Sequence, residues 1–526
     1  MDTQTQVPRT RTRLSIQPRL LTSLTLLGIL AVLIWLRLFN ILSLPIYYDE
    51  ALHLGRAQRA LAEHTVLIGT EGGKYLVIWL QALTLAFAQN DLLAARVLSS
   101  IIGLLAGIGC YLLARHLYER DDVALVAVVL YAVSPFLLFF DRMAMADGLL
   151  SALGIWSCLL SLLVVRQQRW WQAAALGIIL GMASATKLNG LLFLAFPLLA
   201  AWLWRDGRPL RRVLPTVLVA WVIAVLWLLP SLLDFAPQYH SIIERSWLES
   251  AEKDISPSTR LAHNLNAIGT TLWTYLTLPI LILALAEALR AIRQRDKASY
   301  FLALAALITP AFFFLTAGVD KFHTRYILPA FPLLLIMAAR GILALVDWLC
   351  KHTSRPVSGL RIGLLAGIVL LCSMPALRFD YLLVTDPPRA PWISKDRLLY
   401  ITGPLAGYGV LDASAYLREQ ADELGLIIVV KRTDNTKRTG AWAYYLDQPD
   451  ILLEAINLKY AEPQELIQAL YDAPGPVFVV LDRPSEDVYA ADFTDGPYAP
   501  YSTLVATFPR PGDESRIEVY QVQPQP

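Results

Sequence analysis

The chain has 526 residues, 56% hydrophobic and 17% charged, with a net charge of +2 and a mean hydropathy of +0.49. Soluble domains carry roughly a quarter charged residues, so this composition excludes an ordinary soluble protein and indicates a polytopic α-helical membrane protein in contact with lipid. The near-neutral balance gives no basic footprint for nucleic acid.

A tail at 1–19, with Arg9, Arg11, Arg13 and Arg19, leads into an apolar run from Leu20 to Leu44. That run is longer than the roughly 7–15 residues of a signal-peptide core and lacks a small-residue cleavage site, so it is expected to remain as an anchor. Apolar runs of about spanning length occur near 21–43, 93–114, 122–140, 149–165, 171–186, 189–204, 213–233, 268–289, 299–317, 326–346 and 360–377. These predict about 11 transmembrane helices within residues 20–378. The four cysteines, Cys110, Cys158, Cys350 and Cys372, sit in or at the ends of these runs with no metal-type or disulfide spacing, as small core residues do.

One further run, YLVIWLQALTLAFAQ at 75–89, decides the topology, because counting it as a span would reverse every later loop. If it does not cross, the N-terminal tail shares a face with five later basic loops. These hold Arg115 and Arg120; Arg166 and Arg169; Arg205, Arg208, Arg211 and Arg212; Arg290, Arg293, Arg295 and Lys297; and Lys351, Arg355 and Arg361. Basic residues in short loops mark the cytoplasm, so all six agree only under that reading. The run is therefore expected to lie in the interface or against the bundle. The multi-pass chain would sit in the plasma membrane with its N-terminus cytoplasmic.

The opposite, extracytoplasmic face then holds the 45–92 loop, the DRMAMADG turn at 141–148, TKLNG at 186–190, the 235–266 loop and GVDKFHTRY at 318–326. It also holds everything beyond residue 378. There the composition changes to Pro mixed with charge, then short β-type runs (LIIVV at 426–430, VFVVLD at 477–482) alternate with helical patterns (DASAYLREQADEL, PQELIQALYDA). A small extracytoplasmic α/β domain over 379–526 follows. No residue set in it points to chemistry.

On this map Asp49, Glu50, Lys74, Asp147, Lys187, His323 and Arg325 all come out on one face. An ionisable group near bilayer depth costs several kcal/mol unless a wet cavity or a partner receives it, so a shared cavity of acids and bases is electrostatically sensible. Each residue also has a plainer role open to it. Asp49 and Glu50 suit a helix start; His53, four residues after Asp49, suits either a metal cluster or a structural hydrogen bond. Lys74 suits an interface anchor, Asp147 a pair with Arg142, and Arg325 with Tyr326 a membrane-boundary anchor.

Over most of residues 20–345 the chain resembles the GT-C superfamily of glycosyltransferases, in the branch of dolichyl-phosphate-mannose protein mannosyltransferases and bacterial aminoarabinose transferases. The resemblance rests on YYDEALHLGRAQRAL in the first extracytoplasmic loop, GGKYLVIWLQAL after it, RMAMADGLL, ATKLNGLLFL and RYILPAFPLLLIMAARG, taken in order. It departs from the family at Lys74, which Tyr75 follows where two prolines are common. The resemblance implies a GT-C fold and inverting transfer of a sugar from a polyprenyl-phosphate donor to an acceptor hydroxyl outside the membrane, on a lipid, glycan or protein. It implies Asp49 as general base, Glu50 as its support, Asp147 as a second acid, and Lys74 with Arg325 as contacts to the donor phosphate. His53, Lys187 and His323 are further candidates. No ligand set demands a metal or other cofactor, although a divalent cation bridging acid and phosphate is compatible with the chemistry.

Two readings from other classes compete. A transporter or flippase of lipid-linked sugars would also be polytopic, but transporters tend to show internal repeats and polar groups at mid-membrane, whereas here the acids gather in loops on one side. A scaffold whose business is the C-terminal domain leaves those acids unexplained.

Overall fold

The computed structural model describes residues 18–66, 73–204, 211–229, 256–318, 321–352, 358–432, 440–456, 472–483, 498–512 and 515–522, together with 468, 493 and 496. In chain order the helices are α1 (Pro18–Leu38), α2 (Tyr48–Ala62), α3 (Tyr75–Leu85), α4 (Asp91–Tyr118), α5 (Asp121–Ala132), α6 (Pro135–Arg142), α7 (Ala146–Gln167) and α8 (Trp170–Thr186). They continue as α9 (Ala195–Trp204), α10 (Arg211–Leu229), α11 (Pro257–Thr271), α12 (Leu278–Gln294), α13 (Lys297–Thr316), α14 (Phe331–Lys351) and α15 (Ser358–Thr385).

Among the described residues seven helices are long and apolar enough to cross a membrane, or nine if each of two bent pairs is one span. The two remaining expected spans, 171–186 and 189–204, are the short ones. Helix α8 has 17 residues, and the second run is a 3-10 turn (Leu188–Leu194) continued by the 10 residues of α9. At 1.5 Å per residue, α8 rises only about 25 Å, short of a hydrocarbon core of about 30 Å. Helix α8 nevertheless ends beside the start of α7, where Lys187 Nζ lies 2.6 Å from Asp147 Oδ1. The 11 residues of α3 rise about 16 Å, too short to cross a hydrocarbon core of about 30 Å.

The bent pairs have local causes. Helices α5 and α6 meet at 63°, where Ser134 precedes Pro135, a residue suited to the first turn of a new helix. The bend between α11 with its π-turn (Leu272–Leu276) and α12 reaches 112° at Thr277, which takes a positive φ of 66° just before Leu278 and Pro279. The expected continuous span at 268–289 is therefore broken in the middle. Helix α7 is central and buried, packed on α4, α8 and α9, while α1 and α15 are peripheral. Small residues allow close approach: a Cβ on Gly177 or Gly181 of α8 would come within 2.6 Å of the Ala220 carbonyl or 2.5 Å of the Trp227 side chain on α10.

Beyond the helices lies a five-stranded sheet of order β2-β1-β3-β5-β4, made of β1 (Ile427–Arg432), β2 (Ile451–Ile456), β3 (Val477–Arg483), β4 (Ser502–Pro509) and β5 (Arg516–Val522). The first three strands run parallel and β5 pairs antiparallel with β3 and β4. A helix over Val410–Leu424 realises the DASAYLREQADEL pattern. Most of the helix expected at PQELIQALYDA (all but Gln468, Asp472 and Ala473), residues 235–255 of the expected 235–266 loop, the tail before residue 18, and Arg205, Arg208 and Arg355 lie outside the described residues. Helix α15 runs on to Thr385, so the boundary expected at 378 falls inside a helix.

The sheet domain is docked on the entry to α2. The Tyr48 amide donates to the Leu405 carbonyl at 3.1 Å, and the Ile46 amide donates to the Tyr445 hydroxyl at 3.1 Å. Gly407 lies so close to the Ile46 carbonyl that a Cβ would stand 2.3 Å from it.

Candidate active site

Helix α2 starts at Tyr48, with Asp49 and Glu50 in its first turn, where the exposed backbone N–H groups favour acids. The two adjacent carboxylates then part. Glu50 is fully buried and all its acceptor sites are used: Arg96 Nε and Nη2 donate at 2.9 and 2.7 Å, the Tyr47 amide at 3.0 Å and the Ala144 amide at 2.7 Å. Arg96 also donates to the carbonyls of Ile41, Leu44 and Pro45. Glu50 thus ties α2 to α4, to the turn before α7 and to the chain entering α2, with nothing left over for a ligand.

Asp49 turns the other way and meets Arg325, with Nη1 to Oδ2 at 2.8 Å. Burial pushes its carboxyl up, but Arg325 first, and then the lysines Lys74 and Lys187, pull it net well below the usual carboxylate range. Beside this pair is a second, Lys187 Nζ to Asp147 Oδ1 at 2.6 Å, and Asp147 lies in the field of Arg325 and Lys74 as well. Burial drags the Lys187 ammonium down to about 8, against the pull of Asp147. The four side chains of these pairs keep between 4 and 15% exposure, enough for an incoming ligand to reach them.

The geometry sorts the remaining candidates. Lys74 caps the start of α3, set there by Gly73 at φ +67°, a conformation glycine adopts at no steric cost. It is half-buried and close enough to Asp49 to pull its carboxyl down. His53 lies 3.3 Å from the Ala144 carbonyl through Nδ1, and burial and then Lys74 push its pKa to about 3, so it is a neutral, packed imidazole. His323 packs edge-on against Tyr326, and burial and then Arg325 hold it at about 3. Arg142 does not pair with Asp147; it donates to the carbonyls of Leu36, Arg37, Phe39 and Asn40, while Lys187 takes that carboxylate. Among the described residues no three His, Cys, Asp or Glu side chains come together as a metal site would need.

The sequence reading passed over several residues. Arg96 is one, and Arg37 another: Arg37 reaches Asp141 at 3.2 Å and the Ala132 carbonyl at 2.6 Å, locking α1 to the bend between α5 and α6. An arginine inside an apolar span is the signal that could have flagged Arg37. Asp396 and Tyr400, from the segment after α15, also reach the site. Asp396 accepts from Thr324 Oγ1 at 2.9 and 3.0 Å and from the Tyr275 hydroxyl, so it holds the residue next to Arg325. Burial raises its carboxyl to about 6, over the opposing hydrogen bonds. Nothing in their sequence neighbourhood marks these two.

Residues 75–233 match the family model of dolichyl-phosphate-mannose-protein mannosyltransferases, a segment that holds Asp147 and Lys187 and leaves Asp49 and Arg325 outside it. No curated protein matches the chain. Among solved structures, the chain is similar to ArnT from Cupriavidus metallidurans bound to undecaprenyl phosphate. The TM-score is 0.63 at 16% identity, covering 94% of this chain and 97% of that one. It is also similar to the archaeal oligosaccharyltransferase AglB from Archaeoglobus fulgidus, in complex with an inhibitory peptide and a dolichol-phosphate. There the TM-score is 0.53 at 12% identity, covering 83% of this chain and 64% of that one. Residues 75–233 thus match the mannosyltransferase family model, and the chain as a whole shares the fold of the ArnT structure.

Proposed function

We propose that the protein transfers a sugar from a polyprenyl-phosphate donor to an acceptor hydroxyl on the extracytoplasmic side of the membrane, with inversion and with Asp49 as general base. The observation that carries this reading is the Asp49–Arg325 pair at 2.8 Å, flanked by Lys74 and by the Lys187–Asp147 pair. One acid with room to act stands among three cations, the arrangement a departing phosphate needs. The ArnT structure with undecaprenyl phosphate and the AglB structure with a dolichol-phosphate support a lipid phosphate as the donor's carrier.

The acceptor oxygen attacks the anomeric carbon, the bond from that carbon to the phosphate oxygen breaks, and its electron pair stays on the phosphate. The acceptor proton passes to the Asp49 carboxylate. Arg325 and Lys74 neutralise the charge that grows on the leaving phosphate, and being already in place they need no reorganisation. When the donor phosphate draws Arg325 toward itself, Asp49 loses the cation that holds its basicity down and becomes the stronger base. Glu50 orients α2, and Asp147 keeps Lys187 in position.

The test is release of free polyprenyl phosphate from a polyprenyl-phosphate hexose by purified protein with a crude acceptor mixture. Asp49→Asn keeps the shape, so turnover should fall by the roughly 10²–10⁴-fold that a positioned base contributes. Lipid-linked sugar that crosses liposomes uncleaved would instead support a transporter and overturn the assignment.

A further inference from the structure

The segment after α15 folds back over the site and brings Tyr400 to it. Leu398–Thr402 forms a single π-turn, a geometry rare in helices and frequent at functional sites, closed by Gly403, where a Cβ would stand 2.2 Å from the Leu398 carbonyl. The ring is fixed from several sides, with centroids 4.8 Å from Tyr47, 4.8 Å from Phe139 and 6.2 Å from Trp392. Tyr400 is 96% buried, yet its hydroxyl has no hydrogen-bond partner among the described residues. The charged and polar groups around it are Arg325, Tyr47, Asp396 and Asp147.

A buried hydroxyl is normally paired, so one that is locked by packing and left without a partner beside an arginine marks the place of a missing acceptor. We propose that the Tyr400 hydroxyl is a substrate contact: it donates a hydrogen bond to the phosphate of the lipid-linked donor that Arg325 also contacts. An anion is the ligand this position suits, because Arg325 and a phenolic O–H both present donors there. The role is hydrogen-bond donation only, since a phosphate leaving group needs no proton. Asp396, four residues before Tyr400 in the same segment, accepts from Thr324, the neighbour of Arg325, and so ties the segment that carries Tyr400 to the one that carries Arg325. The C-terminal part of the chain thereby completes the site that the membrane helices begin.

This inference rests on the reading that the site receives a polyprenyl-phosphate donor. Full-length protein in nanodiscs is titrated with polyprenyl phosphate and, separately, with the polyprenol that lacks the phosphate, for wild type and Tyr400→Phe. The variant keeps the ring and its packing, and its melting temperature checks that. Loss of one hydrogen bond to a charged group should weaken polyprenyl phosphate binding by about 10- to 100-fold and leave polyprenol binding unchanged. Equal affinity of the two proteins for the phosphate, or an equal loss for both lipids, overturns the contact while the functional reading stands. Wild type that fails to discriminate polyprenyl phosphate from polyprenol sinks both. Should Tyr400→Phe melt early, Asp396→Asn, which disturbs the same segment without touching the hydroxyl, separates a packing loss from the loss of the donor group.

Discussion

Arg325 is the side chain on which the electrostatics of the site turn, and Arg325→Met removes its charge while keeping an apolar stem of similar length. Its Nη1 lies 2.8 Å from Asp49 Oδ2, which puts the charge centres about 4 Å apart, and at an effective dielectric constant of about 20 such a pair is worth about 4 kcal/mol. At about 1.4 kcal/mol per unit, the Asp49 carboxyl should rise by about 2–3 units, with Lys74 and Lys187 left to hold it down. Wild type keeps Asp49 ionised throughout the usual assay range, so its rate should show no acid limb from this group. In Arg325→Met an acid limb should appear at roughly pH 3–4, because the base is now protonated as pH falls through its raised pKa. The phosphate contact is lost as well, so KM for the donor should rise by about 10- to 100-fold. The assay is polyprenyl phosphate release against pH and donor concentration, with Arg325→Lys as the variant that keeps the charge and suppresses the acid limb. Donor KM within about threefold of wild type and no new acid limb in Arg325→Met would refute the arrangement.

Removing Arg96 leaves Glu50 buried with its charge unpaired, so Arg96→Ala should cost about 3–5 kcal/mol of stability, seen as a lowered melting temperature in detergent, where Asp49→Asn shows little change. Lys187, at about 8 in the folded protein against an ordinary 10.5, loses its proton as pH rises through 8, so activity should show an alkaline limb there that moves upward in Lys187→Arg. Between pH 8 and 10.5 the unfolded chain binds more protons than the folded one, so stability rises with pH across this window. A melting temperature that falls in step with activity would show that the limb is not the titration of Lys187.

The class of the protein is legible in the chain alone, because burial in lipid demands long apolar runs and their lengths can be counted without knowing what packs on what. Its loop charges brought Asp49, Lys74, Asp147, Lys187 and Arg325 to one side of the expected topology, and the structure gathers the same residues around one site. The chain alone also marks the strands around LIIVV and VFVVLD, whose β-branched composition is local. Tertiary structure decided the pairing. Asp49 and Glu50 read as equivalent neighbours, yet a helix turns successive side chains by about 100°, which sends one to Arg325 and the other to Arg96. Asp147 took Lys187 over the nearer Arg142 because the bend at Pro135 commits Arg142 to the carbonyls at the end of α1. Tyr400 and Asp396 belong to the site only because the segment after α15 folds back across it, and a contact between residues so far apart in the chain leaves no period or spacing to read.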